Sequence, residues 1–456
     1  MTAAMADLLT RLFDAHPDET PYLAHGEDVR TRGDVRAQVA AEAAVFAAAG
    51  ITGGSTVLLQ VPPSYTQVQA MFALWQLGAQ VMLVDHRLKT AEVDAIKLVS
   101  RPQFTVRGGS FGAALGFARE YELVTSRNTG GSPAATDHRL VQFSSGSTGV
   151  PKTIGRTPAS IAAEIDRFAR IEGMPVAGER VLLLSSTAHS FGLIAGLFHG
   201  LARGAVAVFA TSLTAADLLA TAARYDVHAI FGTPFHYALL ATARTIPPLP
   251  SLRAAVSGGE IMDPAVAAEF ARRFGVGVGE SYGSTETGVI AMDVSGRLRP
   301  SVGRAAPGVV LRIDNGEVDV RLDEGSPYLN GGEDRYADGW LRVRDRAELD
   351  ADGCLHLRGR GDSLVVVGGL KVDLGEIEAV LRTHPGITEA VAVYSGTIEA
   401  YVVGDSAAPD LVLWCHERLA DYKLPREIHV LPRLPRTSNG KLVRRHDVLR
   451  AAAVPA

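Results

Sequence analysis

The sequence predicts an α/β fold: a large N-terminal α/β domain with a β-rich subdomain, followed by a small α+β C-terminal domain. Three observations lead there. From about Thr56, short apolar runs alternate with longer mixed ones; after about Ser301, short strand-like segments are separated by Gly- and Asp-rich turns; from Ser363 the chain has the make-up of a separate compact unit. At roughly 150 residues per domain, 456 residues are enough for two or three.

The elements follow in order. Thr56–Val61 reads as a buried strand, Ser64–Gly78 as a helix and Gln80–Val84 as a second strand. Arg139–Phe143, Arg180–Ser186, Ala205–Ala210, Val227–Phe231 and Leu252–Val256 continue the strands, with helices such as Pro158–Ile171 and Thr214–Tyr225 between them. This alternation predicts a mainly parallel sheet with helices on both faces. Arg127–Asp137, rich in Asn, Thr, Gly, Ser and Pro, reads as a flexible loop. Val309–Ile313, Glu317–Leu322, Trp340–Arg344 and Cys354–Arg358 form the β-rich part, and Glu389–Tyr394 and Glu399–Val403 are strands of the last unit. The expected boundaries are 1–358 for the N-terminal domain, 359–363 for a hinge and 364–456 for the C-terminal domain.

Composition narrows the class. Hydrophobic residues make up 47% and charged residues 21%, and the net charge of −5 gives no electrostatic reason to bind nucleic acid or an anionic membrane. Cys354 and Cys415 alone make neither a disulfide framework nor a zinc site. Met1–Thr20 lacks the basic-then-apolar order of a secretion signal, and the most apolar stretch, Gly192–Ala210, is broken by His199 and Arg203. The expectation is a soluble cytoplasmic protein.

The strongest local signal is Ser144-Ser145-Gly146-Ser147-Thr148-Gly149-Val150-Pro151-Lys152, directly after a strand. Small residues let backbone N–H groups approach phosphate oxygens, the hydroxyls donate as well, and Lys152 supplies charge. The glycine and lysine spacing does not fit the GxxxxGK[ST] loop. The segment resembles the signature loop of the adenylate-forming superfamily, which includes acyl- and aryl-CoA synthetases, luciferases and peptide-synthetase adenylation domains. Further stretches carry the same resemblance in the same order. Ser281-Tyr282-Gly283-Ser284-Thr285-Glu286-Thr287-Gly288 is similar to the second signature, and Gly258-Gly259-Glu260 to the turn beside adenine. Gly359-Arg360-Gly361-Asp362 is similar to the hinge, and Pro435–Lys441 to the loop bearing a catalytic lysine.

The resemblance implies an adenylate-forming fold with a mobile C-terminal domain, and an AMP-forming acid–thiol ligase as activity. ATP would activate a small aryl or alkyl carboxylic acid as acyl-AMP with Mg2+ as cofactor, and the acyl group would pass to coenzyme A. The alternative is a stand-alone adenylation enzyme loading the phosphopantetheine of an acyl carrier protein; neither nucleic acid nor membrane is implied as a partner. Residue by residue, it makes Thr148, Lys152, Glu286 and Lys441 catalytic, with Glu286 also the metal ligand. Ser144, Ser145, Gly146, Ser147, Gly149, Gly258, Gly259, Glu260, Ser281, Tyr282, Gly283 and Thr285 would bind the nucleotide, with Asp345 and Arg360 at the ribose. Asp362 would be the pivot, and Gly369 would line a thiol tunnel. His189, Phe191, Gly192, Phe235 and Ser257 would form the acid pocket. One departure stands out: the family usually has Thr-Gly before the ribose aspartate, and this chain has Val343-Arg344. Amino-acid-activating relatives place an Asp in the pocket stretch, and none lies between Ser185 and Leu201.

Three other patterns carry less. Two GxSxG matches, Gly108–Gly112 and Gly279–Gly283, raise a serine hydrolase, but the second lies inside the adenylate signature and the pattern is cheap. Arg360-Gly361-Asp362 is an adhesion tripeptide in a chain with no secretion signal. His189, His199, His228 and His236 have no metal-ligand spacing.

Overall fold

The computed structural model describes residues 2–88, 90–109, 117, 119–144, 152–330, 333–367, 370–419, 423–437 and 440–453. The chain divides into two compact units. One comprises Met1–Arg312, Val320–Arg342 and Leu349–His356; the other comprises Ile313–Asp319, Val343–Glu348 and Leu357–Ala456.

In the first unit the predicted strands and helices form, but in two sheets where the alternation predicted one. The nine-stranded sheet runs Arg304–Ala305, Gly288–Asp293, Val278–Ser284, Ala254–Gly258, Ala229–Gly232, Arg180–Leu183, Val206–Phe209, Pro21–His25, Asp28–Thr31. Its six middle strands are mutually parallel, and hairpins close both edges. The seven-stranded sheet runs Tyr328–Asn330, Lys152–Arg156, Leu140–Ser144, Gln80–Leu83, Thr56–Gln60, Phe104–Gly108, Leu123–Arg127. Four parallel strands lie at its centre. Which sheet a buried parallel strand joins is set by non-local pairing, which periodicity does not carry.

Both central sheets are buried on two faces. Val57, Leu59, Val81 and Leu83 of one and Val181, Leu183, Phe231 and Val256 of the other share a core with helices Ala3–Phe13, Arg32–Ala48, Tyr65–Gln76 and Pro158–Arg170. The opposite faces carry their own helices, so helix and sheet layers alternate α, β, α, β, α. Capping fixes the helix starts: Ser64, Thr157 and Thr214 each accept an N–H from the first turn. The loop after Arg127, expected to be flexible, is tied down instead. Asn128 Nδ2 donates to Pro102 O at 3.0 Å, Thr56 Oγ1 to Ser132 O at 2.6 Å and the Ala134 N–H to Gly54 O at 2.8 Å.

Buried histidines make this unit sensitive to acid. Burial, with Arg203 adding to it, pulls His199 down to about 3. Burial takes His236 down to about 4, and its Nδ1 accepts the Thr233 N–H at 3.0 Å. Unfolded histidine titrates at about 6.5, so in acid the unfolded chain binds more protons. The stabilisation is complete above about pH 6.5 and falls as pH drops from there towards the folded values, by at most about 1.4 kcal/mol per pH unit for each histidine. Urea unfolding between pH 7 and 4.5 is expected to show this slope, and His199→Phe and His236→Asn are each expected to flatten it. An unchanged slope in both variants would remove the histidines as its source.

In the second unit, Ile387–Tyr394 pairs antiparallel with Ile398–Gly404, which pairs parallel with Glu427–Leu431. Helices Leu374–Arg382 and Ala408–His416 pack on this sheet around Ile377, Leu381, Ala400 and Leu411. The last helix, His446–Ala453, is fastened through buried Glu399, which accepts from Tyr401 Oη at 2.6 Å, His446 Nε2 at 3.0 Å and Arg450 Nη1 at 3.0 Å.

Candidate functional site

In open α/β sheets, ligands sit beyond the carboxyl ends of the parallel strands, and most of the candidate residues of the first unit collect there. Ser185–Phe191 follows Arg180–Leu183; Phe235 follows Ala229–Gly232; Gly258–Glu260 ends Ala254–Gly258; and Ser281–Glu286 ends Val278–Ser284.

The second signature is the tip of a hairpin. Ser284 and Thr287 cap each other: the Ser284 N–H donates to Thr287 Oγ1 at 3.3 Å and the Thr287 N–H to Ser284 Oγ at 3.2 Å. This tight turn presents Thr285 and Glu286, both half-exposed. Gly283 has no room for a Cβ, which would lie 2.3 Å from Gly288 O. Ser281 pairs with Met292 in mid-strand, so the Gly279–Gly283 match has no strand-to-helix elbow; of the other match, Gly108–Gly112, residues 110–112 lie outside the described residues. Ser281 also stands beside Gly258 across the sheet. Gly259 adopts φ +95 in the turn that follows. Buried Glu280 secures that turn by accepting the Met262 N–H at 3.2 Å while pairing with Arg299 at 2.7 Å. Burial nonetheless holds the Glu280 carboxyl above its ordinary value.

The other segment expected to bind phosphate lies between two antiparallel strands, with Ser144 opposite Lys152. Ser145, Gly146, Ser147, Thr148, Gly149 and, in the second unit, Gly369 lie outside the described residues; Ser144, Arg360 and Asp362 are described by their backbone. Buried side chains link the flanks of this loop to the other sheet. Gln142 Nε2 donates to Ala188 O at 2.8 Å and Gln142 Oε1 accepts from Ser190 Oγ at 2.8 Å. Glu164 Oε2 lies 2.8 Å from Arg156 Nη2, while Glu164 Oε1 accepts the Val289 N–H at the root of the Glu286 hairpin at 3.1 Å. Gly288, at φ +69, leaves room for this carboxylate, since a Cβ there would fall 2.4 Å from it.

Tyr328 joins the two predicted charges. Its Oη donates to Glu286 Oε1 at 3.0 Å, and its ring centroid lies 5.6 Å from Lys152 Nζ. Burial, then the Glu286 charge, push its phenol up, so it stays a donor. The remaining lone pairs of Glu286 fit a hard cation, and magnesium takes one or two carboxylates with phosphate and water completing its shell. Among the described residues the one cluster of three ligating side chains is Glu399, Glu427 and His429 in the second unit. Arg450 Nη1 bonds all three at 3.0, 2.6 and 3.0 Å, so a guanidinium already supplies the positive charge.

The acid-pocket residues lie at the same sheet edge. Phe191 stacks on Phe231 with centroids 5.6 Å apart and packs against Gly258, where a Cβ would lie 2.8 Å from the ring. Gly192 is pressed against the Ser185 and Ser186 carbonyls at the start of a π-helix, Phe191–Phe198, which no sequence signal announced. Ser257 is buried; Phe235 is exposed. Reading the pocket stretch alone missed a carboxylate. Asp85 Oδ2 lies 3.8 Å from His189 Nε2, on the loop after Gln80–Leu83. Burial pushes Asp85 up, but His189 and Arg87 outweigh it and hold the carboxyl well below the usual range. Arg87 occupies it, Nε to Oδ1 and Nη2 to Oδ2, both at 3.1 Å.

In the second unit, Asp345 is half-buried on the Trp340–Leu349 strand. Arg344 before it has φ +65, the left-handed conformation that suits glycine, at a cost of about 1 kcal/mol in a non-glycine residue. A Cβ on Gly361 would lie 3.2 Å from Arg344 O, which sets the hinge motif against the ribose motif. The lysine loop is fastened at both ends. Arg436 Nη2 pairs with Glu389 at 2.5 Å, Arg444 pairs with buried Glu378, and the Thr437 N–H donates to Lys441 O at 2.7 Å. Lys441 is exposed. Among the described residues no helix is long and apolar enough to cross a membrane.

Residues 11–331 match the family described as AMP-binding enzyme, and residues 376–441 match the AMP-binding enzyme C-terminal domain. A p-hydroxybenzoic acid–AMP ligase of Mycobacterium marinum is 28% identical over 94% of this chain, which spans 66% of that protein, just under two thirds. A 2-succinylbenzoate–CoA ligase of Bacillus licheniformis is 27% identical over 87% of this chain and 89% of its own length. Among solved structures, ATP-bound MatB from Rhodopseudomonas palustris has the same fold, with a TM-score of 0.83, 21% identity and 98% of each chain covered. O-succinylbenzoate coenzyme A synthetase from Bacillus subtilis, in complex with ATP and magnesium ion, matches with a TM-score of 0.78 at 25% identity, covering 97% of this chain and 98% of that one.

Proposed function

The chain belongs to the AMP-binding enzyme family, and from that premise we propose that it is an ATP-dependent, AMP-forming acid–thiol ligase. The observation that carries this reading is the contact chain from Lys152 through Tyr328 to Glu286 at the carboxyl edge of the sheets.

A carboxylate oxygen of the acid attacks the α-phosphorus, the bond to pyrophosphate breaks, and acyl-AMP forms. The thiol sulfur then attacks the acyl carbon, the bond from that carbon to the bridging anhydride oxygen breaks, AMP leaves with that oxygen, and the thiol proton goes to solvent. Magnesium, when bound, would neutralise phosphate charge at Glu286. Lys152 adds a fixed positive charge beside the phosphate loop, which contributes Thr148, Ser144, Ser145 and backbone N–H groups. Tyr282 packs on adenine, and Asp345 and Arg360 take the ribose. Lys441 neutralises charge at the α-phosphate in the first step. Asp362 is the pivot, within the boundaries 1–358, 359–363 and 364–456, and Gly369 lines the thiol path. Coenzyme A is the acceptor; a carrier-protein phosphopantetheine presents the same thiol, and thioester assays with each distinguish them.

Phe191, held in place by its stacking on the buried Phe231, and the aryl substrates in the names of the relatives make an aryl acid the first choice. ATP–pyrophosphate exchange over a panel of acids tests this. Neutral-tailed acids are expected to outperform matching α-amino acids by at least about 100-fold, because a buried ammonium lacks a partner. Asp85 does not supply one, since Arg87 already holds it. Preference for a free α-amino acid would overturn the substrate reading, and no exchange with any acid would overturn the activity.

A further inference from the structure

We propose that Tyr328 is a positioning residue for this reaction, holding the Glu286 carboxylate and the Lys152 ammonium where they act on the nucleotide. The inference rests on the ATP-dependent reading above.

Tyr328 opens the edge strand Tyr328–Asn330, which pairs antiparallel with the strand that begins at Lys152; Tyr328 stands opposite Ile154. The Gly155 N–H donates to Pro327 O at 2.8 Å and fixes the backbone just before the tyrosine. Residues two apart on a strand share a face, so Lys152 lies on the same side as Ile154. Its ammonium sits 5.6 Å from the Tyr328 ring centroid, within the range of a cation–π contact. The phenol then reaches out of the seven-stranded sheet to the hairpin tip of the nine-stranded one and donates to Glu286 Oε1 at 3.0 Å.

One side chain therefore touches both charges, which come from separate motifs on separate sheets. A carboxylate has about four acceptor sites over two oxygens. The phenol takes one on Oε1 and leaves Oε2 for a cation, so it orients the carboxylate without consuming it. Without that hydrogen bond, Glu286 regains rotamer freedom on a half-exposed tip, and binding a cation must first remove it. Tyr328 lies in neither signature stretch.

Two variants separate its parts. Tyr328→Phe keeps the ring and loses the hydroxyl; Tyr328→Leu loses both. A hydrogen bond to a charged group is worth roughly tenfold or more in an equilibrium. Tyr328→Phe is expected to raise the magnesium concentration for half-maximal pyrophosphate exchange about tenfold, with kcat at saturating magnesium changed less than about twofold. Tyr328→Leu is expected to raise the KM for ATP as well, by a few-fold, as Lys152 loses its platform. A third readout needs neither metal nor turnover: amide hydrogen exchange over 284–288 in the ligand-free protein should quicken in Tyr328→Phe while the melting temperature stays put. An unchanged magnesium midpoint, a lowered one, or a loss confined to kcat would each overturn the proposal. Absence of exchange in the unsubstituted enzyme would overturn the ligase reading instead, and amide exchange would still judge the Tyr328 contact.

Discussion

Lys441→Ala is expected to cut acyl-adenylate formation by about 100- to 1,000-fold while leaving thioester formation from preformed acyl-adenylate close to normal. The first half-reaction gathers negative charge around the α-phosphate, and an ammonium held there stabilises the transition state more than the ground state. The second half-reaction expels AMP and has no such need for the lysine. Truncation should remove the charge and leave the loop intact. The Thr437 N–H donates to the Lys441 carbonyl, Arg436 Nη1 donates to Gly440 O at 2.6 Å, and Arg444 stays paired with Glu378; none of these uses the Lys441 side chain. Asp362→Pro is expected to do the reverse. Asp362 lies in the short 3-10 turn Gly361–Ser363 after the Leu355–Arg360 strand, and proline would fix φ there and remove a donor. If the chain must bend at Asp362 between the two steps, stiffening it should spare adenylation and slow thiolation. Pyrophosphate exchange and single-turnover thioester formation on both variants decide the matter. Equal damage to both steps in Lys441→Ala would reject a role confined to adenylation.

Contiguous motifs on regular elements were legible in the sequence, and contacts between distant segments were not. Thr56–Gln60 and Gln80–Leu83 were visible because strands buried on both faces are unbroken apolar runs. The stretch around Glu286 was legible as a contiguous signature, but the hairpin that carries it, closed by Ser284 and Thr287, was not. The split into two sheets was hidden, since parallel partners lie a helix or more apart. Asp85 was hidden for the same reason: about a hundred residues separate it from His189, and a search confined to the pocket stretch does not reach it. Tyr328 sits in an edge strand of three residues with no periodicity to read. Arg344 taught a different lesson. The loss of the usual glycine put the local backbone geometry in question, and Arg344 adopts φ +65, in the left-handed region that glycine favours. A non-glycine residue persists in that region when the surrounding structure over-determines it.

Glu286→Gln is expected to lower pyrophosphate exchange by about 100-fold without loss of fold. The substitution isolates charge from shape. The hairpin turn is closed by Ser284 and Thr287, and neither of these hydrogen bonds uses the side chain of residue 286. Glutamine keeps an amide oxygen that can still accept from Tyr328 Oη, so the contact at 3.0 Å survives in kind. The negative charge goes, and one of the two acceptor oxygens becomes an NH2 donor. A divalent cation bound to triphosphate keeps most of its ligands as phosphate oxygen and water, so a single carboxylate is a large part of the protein's own hold on it. The deficit should therefore shrink as magnesium is raised, whereas the melting temperature should match the unsubstituted protein. ATP binding measured by calorimetry without magnesium should be unchanged or slightly tighter, since a negative charge near the phosphates has been removed. Near-normal exchange at limiting magnesium would remove Glu286 from the metal site. An exchange defect that magnesium does not relieve, joined to weaker metal-free ATP binding, would instead make Glu286 a structural element of the nucleotide pocket.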